Sequence, residues 1–81
     1  MNVTREDFDS GWSDIFVGLK TEEIDHMIGL LMDLKKNPTT HFHIGSEFKD
    51  DSRVSDIEFH VKGEKEPDNM LFFSNPIYPN R

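Results

Sequence analysis

The stretch from Phe42 to Val61 constrains the fold more than any other, because its two arms carry the same alternation. His41-Phe42-His43-Ile44 alternates polar and apolar, and Ile57-Glu58-Phe59-His60-Val61 does so again after a polar interval. That is the period-two pattern of two half-buried strands. With Lys49 to Val54 as the loop, an in-phase register sets Phe42 opposite Val61, Ile44 opposite Phe59 and His43 opposite His60. Both arms then bury the same face, an agreement that a one-residue slip would destroy. A β-hairpin is therefore expected here.

The flanking segments supply what covers such a hairpin. Met1 to Ser13 has no clear period, with Phe8 and Trp12 as its aromatic residues. From Asp14 to Lys20, Ile15, Val17 and Leu19 alternate with Asp14, Phe16 and Gly18, which suits a strand. Thr21 followed by Glu22 and Glu23 reads as a helix start, a capping hydroxyl with two carboxylates at the positive end of the macrodipole. Ile24, Met27, Ile28, Leu31 and Leu34 then recur at helical steps, widened by Leu30 and Met32. Lys35 and Lys36 suit the negative end, and Asn37-Pro38 stops the helix because a residue before proline is pushed out of the α region. After the hairpin, Lys62 to Asn69 is a polar turn, Met70 to Phe73 reads as a last strand, and Asn75 to Pro79 as an extended tail. The expectation is an α+β fold in the order β-α-β-β-β, one amphipathic helix packed on a small, mainly antiparallel sheet. It forms one domain over residues 1–81, with ends open to flexibility.

Composition narrows the functional classes. A chain of 81 residues buries only roughly 60% of the surface its unfolded form exposes, so a partner or a second copy would add needed stability. Nine lysines and arginines stand against 16 aspartates and glutamates, a net charge of -7, which argues against nucleic-acid and membrane surfaces and favours a basic protein partner. Cysteine is absent, which excludes disulfides, thiolate metal sites and cysteine nucleophiles. No apolar run reaches the ~18 residues of a membrane span, and a soluble, cytoplasmic protein is expected. There is no P-loop, no glycine-rich dinucleotide fingerprint and no His-Glu-x-x-His, so no enzyme activity and no cofactor are expected.

Two sets of residues are candidates for contact or chemistry. Asp50, Asp51, Asp56 and Glu58 form the acidic part of an expected partner surface, and Phe73, Ile77 and Tyr78 its apolar part, since a final strand is often an unguarded sheet edge. The edge could equally serve a homodimer. His41 and His43 share a strand face, and the in-phase register adds His60, with Glu47 or Glu58 as an oxygen donor; such a group can hold zinc or a similar ion. His-x-His-x-x-x-Glu at 41, 43 and 47 resembles the first metal motif of cupins, although those are all-β barrels and a helical pattern stands immediately before it here. The favoured reading of the three histidines is the solvated face of a hairpin, with no metal.

The helix Glu22-Glu23-Ile24-Asp25-His26-Met27-Ile28-Gly29-Leu30-Leu31, the strand His41-Phe42-His43-Ile44, and Asp56-Ile57-Glu58-Phe59 after an acidic loop together resemble small bacterial immunity proteins of polymorphic toxin systems, the immunity protein thirty-two type. The resemblance covers roughly residues 15–62. It implies a bacterial inhibitor that binds and neutralises a cognate toxin. An acidic chain suits a basic target such as a nuclease, because complementary charge speeds encounter. Alternatives are a nucleic-acid mimic that blocks another DNA-binding machine, a homodimeric structural module and a histidine-based metal-binding domain.

Overall fold

The computed structural model describes residues 1–73. Its elements are β1 (Asn2–Asp7), β2 (Ser13–Gly18), α1 (Thr21–Lys36), β3 (His41–Gly45) and β4 (Asp56–His60). β1 pairs antiparallel with β2, β3 pairs antiparallel with β4, and each pair is its own two-stranded sheet. The class is α+β, and the helix occupies the residues its periodicity marks. The order is β-β-α-β-β.

The first hairpin places Val3 opposite Val17 and Arg5 opposite Ile15 on one face. Its turn is closed by Phe8 N–H donating to the Trp12 carbonyl at 2.9 Å and Gly11 N–H donating to the Phe8 carbonyl at 3.0 Å. Gly11 sits at φ 92°, left-handed backbone that a side chain would strain. Asp7 ties the open side of the turn, accepting from Ser13 Oγ at 2.6 Å and from Arg5 Nη2 at 3.0 Å. Arg5 Nε lies 2.9 Å from the same carboxylate but is not aligned as a donor, so that approach is an ion-pair contact only. The strand at Asn2–Asp7 has no counterpart in the sequence-based expectation, because its residues carry one apolar side chain, Val3, and one residue shows no period.

Lys20, not Thr21, precedes the first helical residue, and its N–H donates to Glu23 Oε1 at 2.9 Å. Glu23 also accepts the N-terminal ammonium, at 2.8 Å to Oε1, which ties the start of β1 to the first turn of α1. At the other end Asn37 N–H still reaches the Asp33 carbonyl at 2.9 Å. Asn37 then leaves helical geometry at ψ 75°, as a residue before proline must.

In the second hairpin the expected faces are correct and the expected register is not. Phe42 opposes Phe59, Ile44 opposes Ile57, His43 opposes Glu58 and His41 opposes His60, a two-residue shift from the in-phase pairing. Such a shift keeps every side chain on its face, so alternation alone does not choose between the two. Aromatic pairing does favour one of them. Phe42 and Phe59 stack with centroids 5.0 Å apart and an interplanar angle of 16°, the kind of pair worth about 0.5–1.5 kcal/mol beyond burial. The ladder stops at Gly45 and Asp56, so the loop is longer than the expected Lys49 to Val54, which adds little closure entropy. It is held by Ser46 N–H on the Ser55 carbonyl at 2.9 Å.

The expected last strand is corrected too. Met70 to Phe73 are not in a strand, and Phe72 is fully exposed at 100%. Four apolar residues carry no period of their own, and a strand persists only where a ladder partner satisfies its backbone. The turn before them closes on itself through Gly63 N–H to Glu66 Oε1 at 3.1 Å and Lys62 Nζ to the Glu66 carbonyl at 2.9 Å.

Candidate functional site

The outer face of the second hairpin carries the densest chemistry among the described residues. Alternation puts His41, His43 and Gly45 of β3 on the same side as Asp56, Glu58 and His60 of β4. His43 Nδ1 lies 2.9 Å from Asp56 Oδ2, and its Nε2 lies 3.8 Å from Glu58 Oε1. The His41 ring meets the His43 ring edge-on, with centroids 4.9 Å apart. His60 bridges two carboxylates, with Nδ1 2.8 Å from Glu58 Oε2 and Nε2 3.0 Å from Glu66. A ring whose two nitrogens both meet carboxylates is best served by the imidazolium, which donates from each.

The pKa values follow this wiring. His60 is raised above its ordinary 6.5, chiefly by its hydrogen bond to Glu66 and then by that to Glu58. Glu66 is lowered in turn, by His60 first and the Gly63 N–H second. Asp7 is held down at about 2 by Ser13 and Arg5, Glu23 is lowered by the N-terminal ammonium and the Lys20 N–H, and Asp50 is lowered by Ser52. These carboxylates are all stabilised as anions, which suits structural ion pairs better than a general acid.

A second feature lies between α1, the start of β1 and the inner face of the second hairpin, where a cleft of about 570 Å³ is lined by Val3, Leu19, Met27, Leu30, Phe42 and Ile57 among others. The helix does not close it. Leu34 is the one buried hydrophobic side chain among the described residues, and even it is 8% exposed, whereas Ile24, Ile28 and Leu31 form an exposed apolar stripe, Ile28 at 55%. The sequence period locates that stripe, yet it carries no information about whether anything covers it. Trp12 at 79% and Phe48 at 78% add exposed aromatic surface at the two loops.

The expected partner residues divide along these lines. Asp56 and Glu58 belong to the histidine face, each within contact of an imidazole. Asp50 accepts the Ser52 N–H at 2.8 Å at the edge of the cleft, while Asp51 is simply exposed. Phe73 is exposed at 85%, off any strand. Ile77 and Tyr78 lie outside the described residues. Of the imidazoles, His41 and His43 come together with Glu58, while His60 stands behind Glu58. Glu47, the last position of the cupin-like spacing, pairs instead with Lys49 at 3.0 Å. Nothing in the sequence pattern marks the apolar helix stripe, the cleft or Glu66 as functional. Comparison with known protein families, curated proteins and solved structures returned no match. Among the described residues, no helix is long and apolar enough to cross a membrane.

Proposed function

We propose that this chain is a small acidic protein-binding module whose unfilled core is completed by a partner, and more specifically an immunity-type inhibitor of a basic bacterial toxin. The observation that carries the reading is the uncovered helix stripe of Ile24, Ile28 and Leu31 beside an open cleft of mixed polar and apolar lining, while among the described residues Leu34 alone is a buried hydrophobic side chain. Exposed apolar area of this kind marks association surfaces more often than it occurs on free-standing monomers. Net charge -7 supports a basic target over a second copy, since two such chains repel at low salt while an oppositely charged groove attracts. The resemblance over residues 15–62 supports the toxin-inhibitor form of this reading. Binding rather than catalysis is the role.

The test is co-expression with the protein encoded by the adjacent reading frame, followed by co-purification and a growth-protection assay. A complex at low salt, lost in Ile28→Asp, is the expected result. Ile28 is already half in water, so this variant should stay folded, as circular dichroism would verify. Failure of the adjacent product to bind would remove the immunity reading. A complex indifferent to Ile28→Asp would remove the helix from the interface.

A further inference from the structure

We propose that His41, His43 and Glu58 form a three-ligand site for a divalent transition metal of the zinc type on the outer face of the second hairpin, where His43 also borders the cleft. Each offers one ligand atom, and those atoms lie within 4.8 Å of one another. Tetrahedral zinc with bonds of about 2.0–2.2 Å places its ligands about 3.3–3.6 Å apart, so small rotations of these exposed side chains close the set. Two imidazoles and one carboxylate are donors that zinc accepts readily, and three protein ligands leave a fourth position to water.

The groups behind the ligands strengthen the assignment. Asp56 Oδ2 lies 2.9 Å from His43 Nδ1, so the tautomer with its proton on Nδ1 would donate there and turn the Nε2 lone pair toward Glu58 Oε1, 3.8 Å away. Two acceptors then face each other too far apart to bond and far enough apart to admit a cation. Glu58 is itself oriented, because its other oxygen, Oε2, meets His60 Nδ1 at 2.8 Å and His60 Nε2 meets Glu66 at 3.0 Å. A carboxylate behind a ligating histidine, and a donor behind a ligating carboxylate, are the outer supports usual around protein-bound metals. Asp56, Glu58 and Glu66 bring three negative charges to the face against the positive charges of His60 and Lys62, so the ligand cluster stays attractive to a dication.

The experiment is calorimetric titration of tag-free protein with zinc chloride at neutral pH, with magnesium chloride as the competitor. One zinc per chain is expected, undisturbed by magnesium. His43→Ala and His41→Ala should each weaken binding at least tenfold, and Asp56→Asn about 10–100-fold through loss of the support behind His43. Glu58→Gln should weaken it comparably, and His26→Ala, on the helix, should leave it unchanged. Nitrogen-detected imidazole spectra of the unsubstituted protein keep the proposal falsifiable should a variant fail to fold: zinc should move the His41 and His43 resonances and spare His26. Absence of binding, binding that survives His43→Ala in a folded protein, or zinc perturbation centred on His26 would each overturn the site.

Discussion

The two hairpins solve the same problem with different chemistry. The first closes through a short turn and a carboxylate hub: Asp7 gathers Ser13, Arg5 and, from the second hairpin's loop, Arg53 at 2.7 Å. The second has a long loop and depends on an aromatic stack, Phe42 on Phe59, with Ile44 opposite Ile57. One hairpin is therefore held mainly by charge and hydrogen bonds at its surface, the other by apolar contact on its inner face. Isolated two-stranded hairpins are marginal in water. α1 faces both across the open cleft, which its Met27 and Leu30 line together with Phe42 and Val3.

The largest perturbation should break the helix. Ile28→Pro deletes a helical hydrogen bond and clashes with the preceding turn, costing about 3 kcal/mol or more, comparable to the whole stability of a domain this small. Circular dichroism should show both helix and strand lost together. A variant that kept strand signal at full amplitude would mean that the hairpins stand without the helix.

A smaller change separates the hairpins. Phe59→Ala removes half of the aromatic stack at a half-buried position, for an expected loss of about 2 kcal/mol, below the range for fully buried phenylalanine. Amide exchange should accelerate in β3 and β4 first, and later or less in β1 and β2. Equal acceleration in both would mean that they open as one cooperative unit.

Acid should act in the opposite order. The Asp7 carboxyl is held at about 2 against an ordinary 3.8, so the folded state binds its proton less readily than the unfolded chain. Its contribution is present above about pH 3.8 and is lost as pH falls towards 2. Between those values the first hairpin should loosen before the second, a difference that Asp7→Asn should erase when exchange is compared across that range. The group is solvent-exposed and screened, so the effect should shrink in high salt.

The contrast also explains what could be read in advance. The second hairpin announces its faces because both arms alternate, but a side-chain period of two leaves registers two residues apart degenerate, and the Phe42–Phe59 stack distinguishes them. That same shift decides the histidine face, since it brings Glu58 opposite His43 and moves His60 behind it. The first hairpin is silent in its first strand, where Val3 is the lone apolar residue and pairing with β2 supplies what alternation does not. Helical periodicity places α1 correctly and is equally compatible with a covered or an open apolar face. The pair His41 and His43 was legible as neighbours on one strand, whereas their carboxylate supports depend on register and on Glu66, eight positions beyond Glu58 in the chain.

The smallest expected effect tests the segment that belongs to neither hairpin. Phe73 and Phe59 are the same residue type with opposite surroundings: Phe59 stacks in a ladder, while Phe73 is 85% exposed with no strand around it. Phe73→Asp should therefore change stability by no more than about 0.5 kcal/mol, the range of ordinary surface substitutions. Its effect, if the run from Met70 to Phe73 forms a contact, should be on association. Light scattering across a concentration series, run on both forms and repeated with the partner present, reads the two consequences apart. Loss of association at unchanged melting temperature would make this run part of the interface. A fall in melting temperature comparable to that of Phe59→Ala would instead place Phe73 against the body of the protein, and the hairpin contrast would then have to include a third apolar support.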